Sequence, residues 1–206
     1  MLALSSKDIA SFNEAVLELH STETAQEFPS KIHRAVRRLI DGDVVVVDWV
    51  NPRTSLSLGC YYDRSDLITA ELNAFIHTIL PTQAPMWLQC VDAPHACSDY
   101  MSRRNWARRE ICMAFREIAL EEFIGFEARF SPSLTMMVAD LRGSFGSYTD
   151  TERMKLQLLG PHLHQIHRRL AIRGNVIADS LRTLHQTEVR VTLDGRVSDW
   201  PLEARR

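Results

Sequence analysis

The sequence predicts an α+β protein: one antiparallel β-sheet flanked by helices, with a long closing helix and a small C-terminal β-hairpin. Two pairs of short strand-like segments, in 44–62 and 126–141, are each joined by a tight turn and therefore indicate hairpins. Segments with apolar residues at helical spacing precede, separate and follow these pairs. This order favours an antiparallel sheet with helices packed on it over a doubly wound nucleotide-binding fold.

The composition predicts a globular chain with one substantial core. Of its 206 residues 45% are hydrophobic and 24% are charged, which is average for folded proteins. The 24 basic and 26 acidic residues give a net charge of −2, which argues against direct nucleic-acid contact by this chain. No signal peptide and no stretch of about 20 apolar residues is present, so we expect a cytoplasmic protein without a membrane partner. The four cysteines form no C-x-x-C pair and are expected to be reduced thiols.

Two amphipathic helices are predicted to open the chain. Ser5 and Ser6 are suited to cap the first, and Pro29 stands in the early turn of the second. Their apolar stripes are Ile9, Phe12, Val16 and Leu19, and then Phe28, Ile32, Val36 and Leu39.

The first hairpin follows directly. A β-branched strand over 44–50 is predicted to pair with 56–62 across the turn 51–55. A third helix with Ile68, Leu72, Phe75 and Ile79 on one face is expected to end at Pro81. We expect a loop over 81–100 and a helix over 101–120 with Ile111, Phe115 and Ile118 on one face.

The second hairpin pairs 126–130 with 134–141 and leads to the closing helix. Thr149 and Glu152 have the spacing of a capping box at its start. Pro161 predicts a kink or break near Gly160. The buried stripe of this helix is expected to be Leu159, Leu163, Ile166 and Leu170.

A last hairpin is predicted near the end of the chain. Val189, Val191 and Leu193 alternate before the turn signal Asp194-Gly195, and Val197 is expected on the return strand.

The segment 148–163 resembles the helix that closes the GAF-like input domain of LuxR-type bacterial transcriptional regulators. Those proteins typically read Phe-Thr-x-x-Asp-Arg, a leucine run, and Arg-Pro-His-Leu; here Tyr148, Glu152 and Gly160 replace Phe, Asp and the Arg. Further segments resemble the same family in the same order, so that the resemblance spans roughly residues 25–200: 43–46 leading to 51–54, 98–104, 139–142 and 191–197.

The resemblance implies a GAF-like sensor domain over 1–172, followed over 173–206 by a linker helix and hairpin leading towards an output domain. The family's helix-turn-helix would begin where this chain ends, so DNA is expected to be reached only through a helix-turn-helix absent from this chain. We therefore expect a ligand-sensing domain of a LuxR-type regulator that binds a small-molecule effector and is not an enzyme. A homodimer is expected, with a seam continuing through Ile172, Val176 and Leu184.

Catalytic and metal-binding patterns are weak. The sequence holds none of the common nucleophile, phosphate-loop, dinucleotide or zinc-protease motifs, and no cofactor is expected. His162, His164 and His167 do not share one helix face, so a structural role is favoured over a metal site. Cys112 follows two arginines by about one turn, which would favour a thiolate, but a buried core thiol is the preferred interpretation.

Six residues of the hairpins and the 81–106 cover are candidates for lining a ligand cavity. In a GAF-like fold the sheet face and the elements over it enclose such a cavity, and aromatic walls suit a small organic ligand. The alternative is that these side chains fill the core, which would leave a ligand-free dimerisation or interaction module with the same fold. The candidates are Trp49, Tyr61, Trp87, Trp106, Phe126 and Met137, of which Trp87 and Trp106 are the preferred markers.

Overall fold

The computed structural model describes residues 4–83 and 93–173 and the short strands 190–191 and 197–198. The helices are α1 (Ser6–His20), α2 (Phe28–Leu39), α3 (Ala70–Gln83), α4 (Cys97–Tyr100), α5 (Arg103–Trp106), α6 (Glu110–Arg116) and α7 (Asp150–Arg173). The strands are β1 (Val44–Asn51), β2 (Leu56–Tyr62), β3 (His95–Ala96), β4 (Glu122–Ser131), β5 (Leu134–Arg142), β6 (Arg190–Val191) and β7 (Val197–Ser198).

Five strands form one antiparallel sheet in the order β2-β1-β5-β4-β3. Both predicted hairpins are present, and the long connection through α3–α6 returns the chain to place β5 beside β1. The predicted α+β class with an antiparallel sheet and a long closing helix is therefore confirmed. The two strands of the last hairpin are also present, because Val191 pairs with Val197, and the predicted turn at Asp194-Gly195 lies outside the described residues.

Helices cover both faces of the sheet. On one face, here called the α7 face, Val45, Val47 and Trp49 of β1 pack with α1, α2 and α7. On the other, here called the α3 face, Val44 and Val46 pack with α3, α5 and α6. The two-sided cover explains the unbroken valine run, since a strand buried on both faces needs no polar alternation.

The predicted helix caps are present. The Ser5 and Asp8 side chains form a capping box at α1. At α7 the amide of Glu152 donates to the Thr149 hydroxyl, and the amide of Thr149 donates to the Glu152 carboxylate at 2.8 Å. The predicted break at Gly160 does not occur: α7 continues through Pro161 to Arg173. Its apolar stripe is fully buried against the sheet, and this packing holds the helix across the missing hydrogen bond.

The structure corrects the prediction of one helix over 101–120. Two short helices occupy this stretch, because the Ser102 side chain caps α5 and the Trp106 indole N–H donates to the carbonyl of Glu121 at 2.6 Å. The residue Ala119 has a positive φ of 61° and turns the chain into β4. In the predicted loop 81–100, α3 extends to Gln83, and the described part after it holds β3 and α4.

Two apolar side chains face solvent against expectation. Phe75 is 45% exposed, and its neighbour Ile76 enters the core instead. Ile9 on α1 is 49% exposed, although Leu19 of the same predicted stripe is buried. On α3 the buried stripe takes Ile76 in place of Phe75, and on α1 it is shorter than the sequence pattern predicts. The proposed dimer seam through Val176 and Leu184, like the side chain of Ile172, lies outside the described residues.

Among the described residues, no helix combines the length and the apolar character that crossing a bilayer requires.

Candidate functional site

A cavity of about 40 Å³ lies between the α3 face of the sheet and the helices α3 and α6. Strands β1, β2, β4 and β5 form its floor, and Ile76, Ile111 and Phe115 of the helices cover it. Its surface is almost wholly apolar. The lining residues are Val46, Asp48, Cys60, Tyr62, Ile76, His77, Ile111, Phe115, Phe123, Met137, Ala139 and Leu141.

The strand register places one polar row across the cavity floor. Asp48 in the central strand β1 is paired with Cys60 of β2 on one side and with Met137 of β5 on the other. Met137 is in turn paired with Glu127 of β4. Because residues paired in register point to the same face, all four side chains belong to the α3 face. The two acids are two strands, about 10 Å, apart.

Asp48 is the acid that lines the cavity. The residue is 2% exposed, and its Oδ1 accepts a hydrogen bond from the Ser57 hydroxyl at 2.6 Å. A register shift between Trp49 and Val50 brings Ser57 beside it. Within the described part of the chain, no basic side chain forms an ion pair with Asp48, and burial raises the pKa of its carboxyl to about 7. The cavity therefore contains a buried acid that no basic side chain in the described part of the chain neutralises.

The other polar groups of the cavity are uncharged near neutral pH. Burial, with the nearby Asp48 carboxyl, raises the pKa of the Cys60 thiol well above its ordinary value. The Tyr62 hydroxyl donates to Asn73 Oδ1 at 3.0 Å, and burial raises its pKa as well. Burial lowers the pKa of His77, so its imidazole favours the neutral form. Asp48 is thus the group whose charge is poised to change.

Glu127 continues the polar row beyond the cavity. Its side chain is fully buried, and its Oε2 lies 3.3 Å from Nδ1 of His95 on the edge strand β3. The ring of Tyr100 meets His95 edge-on with a centroid separation of 5.5 Å. The pair connects the edge strand to the same face that forms the cavity floor.

The sequence-based candidates are divided between the two faces of the sheet. Met137 lines the cavity. Trp106 does not line it but packs on the same face of the sheet, where its ring meets Phe123 edge-on. Trp49, Tyr61 and Phe126 lie on the α7 face. Trp87 lies outside the described residues.

The alternation of side chains along a strand explains this division. Trp49 follows Asp48 directly, and neighbouring residues of a strand point to opposite faces. Trp49 packs with Phe28, Phe130 and His167, at centroid separations of 6.3, 5.7 and 5.8 Å. The residues that sequence reasoning missed include Asp48, whose position as the single acid within an apolar strand was a usable signal.

The histidines of α7 make ring contacts. Nδ1 of His162 lies 3.1 Å from Nε2 of His20 on α1. His167 stacks on Phe130 with a centroid separation of 3.7 Å, and His164 meets the same ring edge-on. Among the described residues no three potential ligands gather to hold a metal ion. Cys112 is buried, and burial raises the pKa of its thiol, in line with the preferred interpretation as a core residue.

Comparison with solved structures gives matches to regulator ligand-binding domains. The VqsR ligand-binding domain from Pseudomonas aeruginosa has a TM-score of 0.59 at 12% identity, over 80% of this chain and 98% of that one. CepR2 from Burkholderia cenocepacia, an N-acylhomoserine lactone dependent LuxR family transcription factor, has a TM-score of 0.55 at 13% identity, over 81% and 97%.

A phycocyanobilin-bound GAF domain from a cyanobacterial phytochrome also matches, with a TM-score of 0.53 at 9% identity over 84% of this chain and all of that one. No family model matches the sequence, and no curated protein matches it. At these identities the likeness shows the fold alone. The chain has the GAF-like fold that is found in ligand-binding domains of LuxR-type regulators, as the sequence resemblance predicted.

Proposed function

We propose that this chain is the ligand-sensing input domain of a LuxR-type transcriptional regulator. The observation that carries the proposal is the cavity between the α3 face and the helices α3 and α6, with apolar walls and one buried acid. Few polar groups in an apolar enclosure are typical of small-molecule sites. The solved neighbours support it, because one is N-acylhomoserine lactone dependent and another holds phycocyanobilin.

Strand β5 offers a direct route from the cavity to α7. Ala139 lines the cavity, while the next residue, Asp140, accepts a hydrogen bond from the Tyr148 hydroxyl at 2.9 Å. Tyr148 is followed at once by Thr149, which caps α7. A ligand that displaces β5 would therefore alter the start of the closing helix. Signalling further requires that the ligand bind the two resulting states with different affinity.

We extend the proposal to the organisation that the resemblance implied. Residues 1–172 would form the sensor domain and 173–206 a linker towards a helix-turn-helix output domain, through which DNA would be bound. The sensor would act as a cytoplasmic homodimer and would catalyse no reaction.

A second candidate function rests on the size of the cavity. About 40 Å³ is far below the roughly 300–1,000 Å³ of drug-sized ligand sites. This small volume favours a ligand-free dimerisation or interaction module, unless the ligand is small or the walls move apart. A small molecule bound in the cavity would alter the protein if the chain is a sensor, whereas a ligand-free interaction module would bind none.

Neighbouring residues of α3 give a matched test. Ile76→Trp places a large ring in the cavity, whereas Phe75→Trp places the same ring at a position that faces solvent. The wild-type chain and both variants are each incubated with a bacterial metabolite extract, desalted and examined by native mass spectrometry and thermal shift. We expect retained mass and a raised Tm for wild type and Phe75→Trp, and neither for Ile76→Trp.

Circular dichroism checks that each variant is folded. Should Ile76→Trp unfold, Ala139→Val, which adds two methyl groups to the same cavity, takes its place. Equal retention by wild type and both cavity variants would show that the ligand lies elsewhere. A wild-type chain that retains nothing and forms a stable dimer by light scattering would establish the second candidate instead.

A further inference from the structure

We infer that the cavity binds the amino group of a small organic amine, with the Asp48 carboxylate as its anchor. This inference rests on the proposed sensing function and names the chemical class of its ligand. It follows from the charge balance of the cavity, from its aromatic walls and from its size.

The charge balance is the first argument. A buried carboxylate is stable only when a positive group or several hydrogen bonds compensate for the lost water. The described residues supply Asp48 with one hydrogen bond, from Ser57, and with no cation. Its ionised form is therefore under-compensated in the free protein. An ammonium group brings both the missing charge and several N–H donors into the same space.

The aromatic side chains in the cavity walls also favour an ammonium group. Tyr62 and Phe123 reach the cavity from strands β2 and β4 of its floor, and Phe115 reaches it from α6. The faces of aromatic rings attract ammonium groups, and the attraction grows when water is excluded. The remaining walls are aliphatic and suit the hydrocarbon part of an amine.

Other ligand classes fit less well. A carboxylate or phosphate would face Asp48 with no cationic side chain among the lining residues to bind it, because burial favours the neutral form of His77. A neutral alcohol offers one donor and leaves the charge uncompensated. The volume of about 40 Å³ limits the buried part of the ligand to a few non-hydrogen atoms. A short alkyl amine is the simplest molecule that satisfies all three conditions.

The test compares n-propylamine with 1-propanol and propionate, which have similar size and different charge. Binding to the full chain is measured by ligand-observed NMR titration at about pH 8, where Asp48 is ionised and the amine is protonated. Two variants each remove one buried acid: Asp48→Asn in the cavity and Asp140→Asn on the opposite face of the sheet. Each titration is made on protein shown to be folded by circular dichroism.

We expect wild type and Asp140→Asn to bind propylamine at least tenfold more tightly than propanol, and Asp48→Asn to lose this preference. Affinity for the amine should fall as the pH drops below about 7 and Asp48 takes up a proton. The other titratable lining groups are Cys60, Tyr62 and His77. The thiol and the phenol stay protonated because burial raises their pKa values, and His77, whose pKa burial lowers, takes up its proton at a lower pH than Asp48 does.

Equal binding of amine and alcohol in wild type and Asp48→Asn would overturn the inference while leaving the proposed sensing function intact. Binding of none of the three probes would also overturn it. The extract experiment with Ile76→Trp would then decide separately whether the cavity takes a different ligand. An unchanged amine affinity in Asp48→Asn would show that Asp48 is not the anchor and would likewise overturn the inference.

Discussion

Asp48→Asn should make the protein more stable, by an amount that depends on pH. Burial raises the pKa of Asp48 from its ordinary value of 3.8 to about 7, so the folded state holds this proton more tightly than the unfolded chain does. The resulting cost to stability begins as the pH rises past about 4 and is complete above about 7. The shift of about three pKa units lowers the free energy of unfolding by about 4 kcal/mol at pH 8. At pH 5 the decrease is only about 2 kcal/mol, because the carboxyl is still protonated in the folded state.

Asn keeps the oxygen that accepts from Ser57 and carries no charge, so the variant should recover most of this cost. Urea unfolding at about pH 5 and pH 8 measures the free energy of unfolding at each pH. The stabilisation by Asp48→Asn should be about 2 kcal/mol larger at the higher pH. Asp66→Asn is the control, because it removes an exposed acid that is paired with Arg64. A stabilisation by Asp48→Asn that is the same at both pH values would refute the reasoning.

Three further substitutions test other parts of the fold. Thr149→Ala removes the cap of α7 and should lower the free energy of unfolding by about 1 kcal/mol in urea titration, whereas Thr149→Ser should retain it. Gly160→Ala places a Cβ 2.5 Å from the Phe126 ring and should cost about 1–3 kcal/mol, most of which Phe126→Leu in the double variant should recover. Burial lowers the pKa of His167 to about 4, so between about pH 6.5 and 4 the unfolded chain binds this proton more tightly than the folded state does. His167→Phe removes this group and should therefore reduce the loss of thermal stability over the same pH range. An unchanged acid sensitivity of Tm in His167→Phe would contradict that assignment.

The parts of the fold that local sequence determines were predicted well. The Ser5 and Thr149 caps and both hairpins depend on residues within a few positions of one another. The split of the predicted helix 101–120 could not be predicted in the same way. It depends on a bond from Trp106 to the carbonyl of Glu121, which only the folded chain brings together.

The cavity was harder to locate than the sheet. Val44–Val47 is apolar at every position and is buried on both faces, so its pattern carries no information about which face holds a ligand. The large ring of Trp49 favoured this residue as a cavity wall, whereas the cavity lies on the face to which its neighbour Asp48 points. On α3 the sequence pattern predicted Phe75 on the buried face, whereas the structure places Ile76 there. In each case the difference is one residue along the chain, and it depends on packing between segments that are distant in sequence.

The position of β1 bears on how a ligand could enter. This strand is hydrogen-bonded on both edges and buried along its whole length, so its amide protons should exchange with solvent only when the entire domain unfolds. The central strand of the cavity floor therefore cannot open separately, whereas β2 lies at the edge of the sheet. Access comes from the helical side, where α6 spans only seven residues, or from the β2 edge, where Cys60 and Tyr62 are half-buried, and the association rate would report the local opening of these elements. Slow entry and slow exit would then make the occupied state outlast brief fluctuations in ligand supply.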